Sequence, residues 1–170
     1  DFSDCTFRKK IIIKDCIFKK GIIFNRTYFV NGFSFINNDV CGCINFENCA
    51  FGGKIKIFHS KGEICEINFT ASVIKGLLEL NSLRSGIFLS EDSSIKFNNI
   101  FVEPNGYLII RNINEKHKFS GIINFTDANL LGNVVLKNIY LKRFLLTNAV
   151  MVGGFFTEHL YFKEESDSQT

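Results

Sequence analysis

The chain has 170 residues, 46% of them hydrophobic, and a formal net charge of +3. That is enough apolar mass for one domain with a substantial core, and the near balance of charge excludes a strong polyanion or polycation. The longest apolar stretch, Phe144 to Phe156, is interrupted by Thr147 and Asn148 and is too short for a membrane-spanning helix.

From the N-terminus the apolar residues come in pairs two apart. The second members are Phe7, Ile13, Phe18, Phe24, Phe29, Phe35, Val40, Phe46, Phe51 and Ile57, spaced alternately six and five residues apart. Two residues before them sit Cys5, Ile11, Cys16, Ile22, Thr27, Phe33, Asn38, Ile44, Cys49 and Ile55, of which only Asn38 is strongly polar. Residues i and i−2 of an extended segment share a face. A new pair every five or six residues therefore means short extended segments separated by corners, each aiming its pair at one axis. A helix would need apolar residues at i, i+3, i+4 and i+7, which this stretch lacks.

Four such segments predict coils of about 22 residues, with Phe24, Phe46 and Phe69 in one inward column. Between residues 58 and 124 the spacing loosens around "SEDSS" (90–94), "EPNG" (103–106) and "RNINEKHKFSG" (111–121), read as loops at corners. It tightens again at Ile123/Phe125, Ala128/Leu130, Val134/Leu136, Ile139/Leu141, Phe144/Leu146 and Ala149/Met151. Asn25, Asn37, Asn48, Asn81, Asn98, Asn112 and Asn148 are assigned to corners, where asparagine accepts turn conformations that β-branched residues resist.

The expected architecture is all-β: a parallel β-helix of some seven coils over residues 1–152, then a cap and frayed tail over 153–170. In the cap, Phe155, His159 and Phe162 would share one face of a short helix. The alternative is a three-sided β-helix that keeps the same inward residues. Phe2 sits five before Phe7, so the pattern is already running at residue 1, and the expectation is a module within a longer repeat array.

"CTFRK" (5–9), "CIFKK" (16–20), "INFEN" (44–48), "CAFGG" (49–53), "INFTD" (123–127) and "ANLLG" (128–132) resemble the bacterial pentapeptide-repeat family. The resemblance implies a right-handed, four-sided β-helix used as a non-enzymatic interaction or structural module of a larger bacterial protein. Its ends imply a homodimer through the C-terminal end. Some members of that family mimic DNA and bind topoisomerase, but those are strongly acidic, and a chain at +3 with a basic start departs from them.

The six cysteines, Cys5, Cys16, Cys41, Cys43, Cys49 and Cys65, are too sparse for a disulfide scaffold. They read as reduced thiols of a cytoplasmic protein, with a secreted effector or the soluble domain of a membrane protein as other settings. Cys41, Cys43, Cys49, Cys65 and His59 are ligand types for zinc, but no C-x2-C pairing is present, and Cys49 faces inward as a small packing residue. No catalytic residue, metal ligand or cofactor is assigned, and no small-molecule substrate is expected.

Two basic groups are candidate binding residues. Arg8, Lys9, Lys10, Lys14, Lys19 and Lys20 form a collar around the first coil; Arg111, Lys116, His117 and Lys118 make the 111–121 loop basic. A protein partner is the leading expectation, met through faces, ends or loops. A collar matches a nucleic-acid groove poorly, because such a groove needs basic residues on one face with exposed aromatics. Binding of nucleic acid or an anionic lipid surface through this coil is the alternative.

Overall fold

The structure, a computed structural model, describes residues 1–61, 64–82, 93–112 and 121–162. Within them the chain is an all-β parallel solenoid of about six coils, and no helix is present among the described residues. Each strand pairs in parallel with strands one coil away. One sheet has seven strands, from Thr6–Phe7 to Val150–Met151; a second has six, from Ile22–Ile23 to Arg143–Leu145. The third is built from Ile11–Lys14, Phe33–Val40, Ile55–Lys61, Leu77–Ser82, Tyr107–Asn112, Asn133–Leu141 and Phe155–Phe162, with Ile17–Phe18 added at one edge.

The coil length follows from the register. Phe7, Phe29, Phe51, Ile74, Val102, Leu130 and Met151 lie one above another. The early coils take 22 residues and two later ones take 28. With 28 residues from Ile74 to Val102 and again from Val102 to Leu130, the chain makes about six coils where some seven were expected.

Three sheets nonetheless present four inward pairs in a fully described coil. In the second coil these are Ile22/Phe24, Thr27/Phe29, Phe33/Phe35 and Asn38/Val40, all buried. The last two pairs belong to one strand, which turns a corner at Asn37, whose φ is 56°. Asn138, with φ 55°, bends Asn133–Leu141 in the same way.

The core is a set of ladders. Phe2, Phe24, Phe46, Phe69, Phe97 and Phe125 form a continuous ring stack, with centroids 4.8–5.3 Å apart and planes within 4–13° of parallel. Each such contact is worth about 0.5–1.5 kcal/mol beyond area burial. Beside it Ile22, Ile44, Ile67, Ile95 and Ile123 align in register. A column of small residues, Cys5, Thr27, Cys49 and Ser72, completes the wall and bonds from coil to coil. Thr27 Oγ1 donates to the Phe2 carbonyl at 2.7 Å, and Ser72 Oγ donates to that of Phe46 at 2.6 Å. Cys49 Sγ donates to the Phe24 carbonyl at 2.9 Å. The fully buried Asn38 is likewise satisfied: it accepts from the Cys16 N–H at 2.9 Å and donates to the Ile13 carbonyl at 3.0 Å. These bonds meet the requirement that buried polar groups be paired.

One corner of every coil is left-handed. Asp4, Arg26, Asn48, Ala71, Asn99, Asp127 and Asn148 have φ of 52–58°. Asn37, Asn48 and Asn148 are corners as expected, and Asn25 and Asn98 precede one by a residue. Asn81 and Asn112 are not corners: they sit in the strands Leu77–Ser82 and Tyr107–Asn112, which run in register with each other.

The expected C-terminal helix is a strand. Phe155, Thr157, Leu160 and Phe162 stack on Val134, Leu136, Ile139 and Leu141, and His159, with φ 53°, repeats the bend at Asn138. The ladder below supplies hydrogen-bond partners that a helix would forgo, so the coil propagates.

Candidate interaction surface

A closed stack of coils buries its interior, so the exposed side chains are those of the first and last described coils and the outward positions of the walls. In the first coil Arg8, Lys9, Lys10, Lys14, Lys19 and Lys20 are all exposed. They occupy the corner after Thr6–Phe7, the end of Ile11–Lys14 and the corner after Ile17–Phe18, so they ring the coil as expected. Only Lys14 is ion-paired among the described residues, to Asp15 at 3.3 Å. The acids here are tied to the next coil. Asp4 accepts two bonds from the Arg26 guanidinium, at 2.6 and 2.7 Å, which hold its carboxyl below the ordinary value. The Asn37 amide does the same for Asp15, helped by Lys14. Inward Phe7, Ile11, Ile13 and Phe18 are half-buried against the core.

The last coil has a different surface. More than half of the exposed large apolar side chains of the described residues lie between residues 145 and 162. Met151, at 47% exposure, and Phe162, at 53%, are ladder residues with no further described coil above them; Val152, Phe156 and Tyr161 point outward. The Lys137–Glu158 pair, 2.8 Å apart, borders this set.

Between the ends, the third sheet carries a charged cluster on its outer side. Glu79 is 5% exposed although it points away from the core. Arg111 bonds one of its carboxylate oxygens and Lys56 lies 4.0 Å from the other. The Lys56 ammonium also sits over the Phe58 ring, 5.2 Å from its centroid. Arg111 is therefore not part of a free basic loop; it belongs to the strand Tyr107–Asn112 and neutralises a covered carboxylate. Lys116, His117 and Lys118 lie outside the described residues. Sequence reasoning missed the Lys56–Glu79–Arg111 cluster, because Glu79 and Arg111 are brought together only by a coil of uneven length.

The cysteines divide by direction. Cys49 is buried and its thiol is pushed up to about 12 by desolvation, as a packing residue should be. Cys16, expected inward, is exposed, and its thiol donates to the Lys14 carbonyl at 3.3 Å. Cys43 and Cys65 face outward on the second sheet with their sulfurs 2.8 Å apart. The signal for this contact was legible: the two are 22 residues apart, one coil. Among the described residues no three metal-ligating side chains converge, and no helix is long and apolar enough to cross a membrane. The chain matches no family model, no curated protein and no solved structure at a significant level.

Proposed function

We propose that this solenoid is a non-enzymatic interaction module of the pentapeptide-repeat kind, part of a larger bacterial protein, which holds a protein partner against its C-terminal end. The observation that carries the reading is the concentration of exposed apolar side chains in the last coil. Apolar patches of this kind mark interaction surfaces. The simplest partner is a second copy packed end to end about a two-fold axis, which buries the same patch on both chains. The reading keeps the cytoplasm as the setting, because six cysteines in 170 residues are too sparse for a disulfide scaffold.

Sedimentation velocity over a concentration series tests it. The wild-type chain associates; the pair Met151→Glu with Phe156→Ser abolishes association while leaving the far-ultraviolet circular dichroism intact. A wild-type chain that stays monomeric at high concentration and gains no partner when its natural neighbours are present contradicts the reading.

One observation favours a second use. Arg8, Lys9, Lys10, Lys19 and Lys20 are exposed and form no ion pair among the described residues. An anionic surface or nucleic acid held there would dissociate steeply between low and moderate salt. Lys9→Glu with Lys19→Glu would abolish that binding, and salt-independent binding would exclude it.

A further inference from the structure

We propose that Cys43 and Cys65 are a redox site: an inter-coil dithiol that closes reversibly to a disulfide on reaction with a low-molecular-weight disulfide such as oxidised glutathione. Four observations lead there. Both thiols are exposed, and their sulfurs are already in contact at 2.8 Å across neighbouring strands. The strands Gly42–Asn45 and Ile64–Asn68 are parallel, and their register slips between Ile64 and Glu66. Gly42 faces Ile64 and Cys43 faces Glu66, which leaves Cys65 as the extra residue of a bulge, leaning towards Cys43. Neighbouring strands lie about 4.8 Å apart, inside the roughly 4.4–6.8 Å Cα window of a disulfide.

The other cysteines lack this arrangement. Cys49 is buried; Cys5 and Cys16 spend their S–H groups on the Ser3 and Lys14 carbonyls, at 3.4 and 3.3 Å. The Cys43 thiol is pushed up to about 11, first by its bond to Cys65 and then by burial, so it keeps its proton at neutral pH. Beside the pair, Glu66 and Lys96 neutralise each other at 2.6 Å.

The chemistry balances in two exchanges. One protein thiolate attacks the small disulfide, forms a mixed disulfide and releases one small thiolate. The second protein thiol loses its proton to solvent, attacks the mixed disulfide and releases the other small thiolate. The protein dithiol is oxidised by two electrons, and the small disulfide is reduced to two thiols. The product pins the third coil to the fourth on the outer side of the second sheet.

The test incubates the full chain with oxidised glutathione and reads intact mass and peptide maps. The peptide map shows a Cys43–Cys65 linkage, with a loss of about 2 Da from those two peptides whatever adducts form at Cys16 or Cys41, and a dithiol reductant reverses it. Cys43→Ser and Cys65→Ser each stop at a glutathione adduct, whereas Cys41→Ser still closes the bridge. Circular dichroism confirms that the variants are folded. The proposal is overturned if the folded wild-type chain stays unmodified, accumulates adducts at Cys43 or Cys65 without the internal bridge, or links Cys41 instead.

Discussion

The first and the last described coils of the solenoid carry opposite surfaces. In both, the inward residues are partly exposed. The first coil surrounds Phe7, Ile11, Ile13 and Phe18 with six basic side chains, and ties Asp4 and Asp15 to the coil above through Arg26 and Asn37. The last described coil leaves Met151, Val152, Phe156 and Phe162 exposed. Charge at a solenoid's end discourages edge-to-edge pairing, and an apolar end invites it. The same repeat therefore carries a basic first coil and an apolar last described coil.

Substitutions along one kind of position measure how far each end departs from the middle. Phe46 has stacked rings on both sides, so Phe46→Asp buries an unpaired charge and costs more than about 4 kcal/mol, enough to abolish the thermal transition. Met151→Asp, at a ladder position that is 47% exposed, costs less than about 1 kcal/mol. Equal losses at the two positions would mean that the last coil is as covered as the centre.

Glu79→Ala leaves Arg111 and Lys56 without their shared carboxylate in the middle of the third sheet and costs about 2 kcal/mol by chemical denaturation. A neutral result there would place the cluster among ordinary surface ion pairs. Ala71 occupies the left-handed corner with a side chain that disfavours it, φ being 55°. Ala71→Gly should therefore raise stability by about 1 kcal/mol, since relief of the strained backbone outweighs the added freedom of the unfolded chain.

The smallest effect is electrostatic, and it appears at both ends. Asp4, Asp15 and Glu158 have carboxyls below their ordinary values, through Arg26, Asn37 and Lys137 respectively. A depressed folded value adds stability that is present above the unfolded value and lost as pH falls through the folded one. Melting followed from pH 6 to about 2 should decline mainly below about pH 4. Asp4→Asn and Asp15→Asn should flatten that decline in the first coil, and Glu158→Gln should flatten it in the last.

The inward column was legible because ring stacking demands one residue type at one depth: Phe24, Phe46 and Phe69 recur at a coil's spacing, and Phe97 and Phe125 resume it after each longer coil. The last strand was misread for a definite reason. A left-handed residue inserted into a strand shifts the inward set from i, i+2, i+4 to i, i+2, i+5, i+7. Phe155, His159 and Phe162 then fall at helical spacing, although His159 is itself the bend. The same pattern one coil earlier, Val134, Leu136, Ile139 and Leu141 around Asn138, was the available correction. At the surface, the basic collar was readable from a local run of lysines. The Lys56–Glu79–Arg111 cluster was not, because its members come from three coils of different length.

Hydrogen–deuterium exchange as a function of protein concentration tests the asymmetry of the ends most directly. At low concentration both the first coil and residues 144–162 should exchange faster than the central coils, where the ladders are covered on both sides. As concentration rises, protection should grow in 144–162 and stay unchanged in 1–20. Growth of protection in 1–20, or no concentration dependence at either end, would contradict the assignment of the C-terminal coil as the surface that binds.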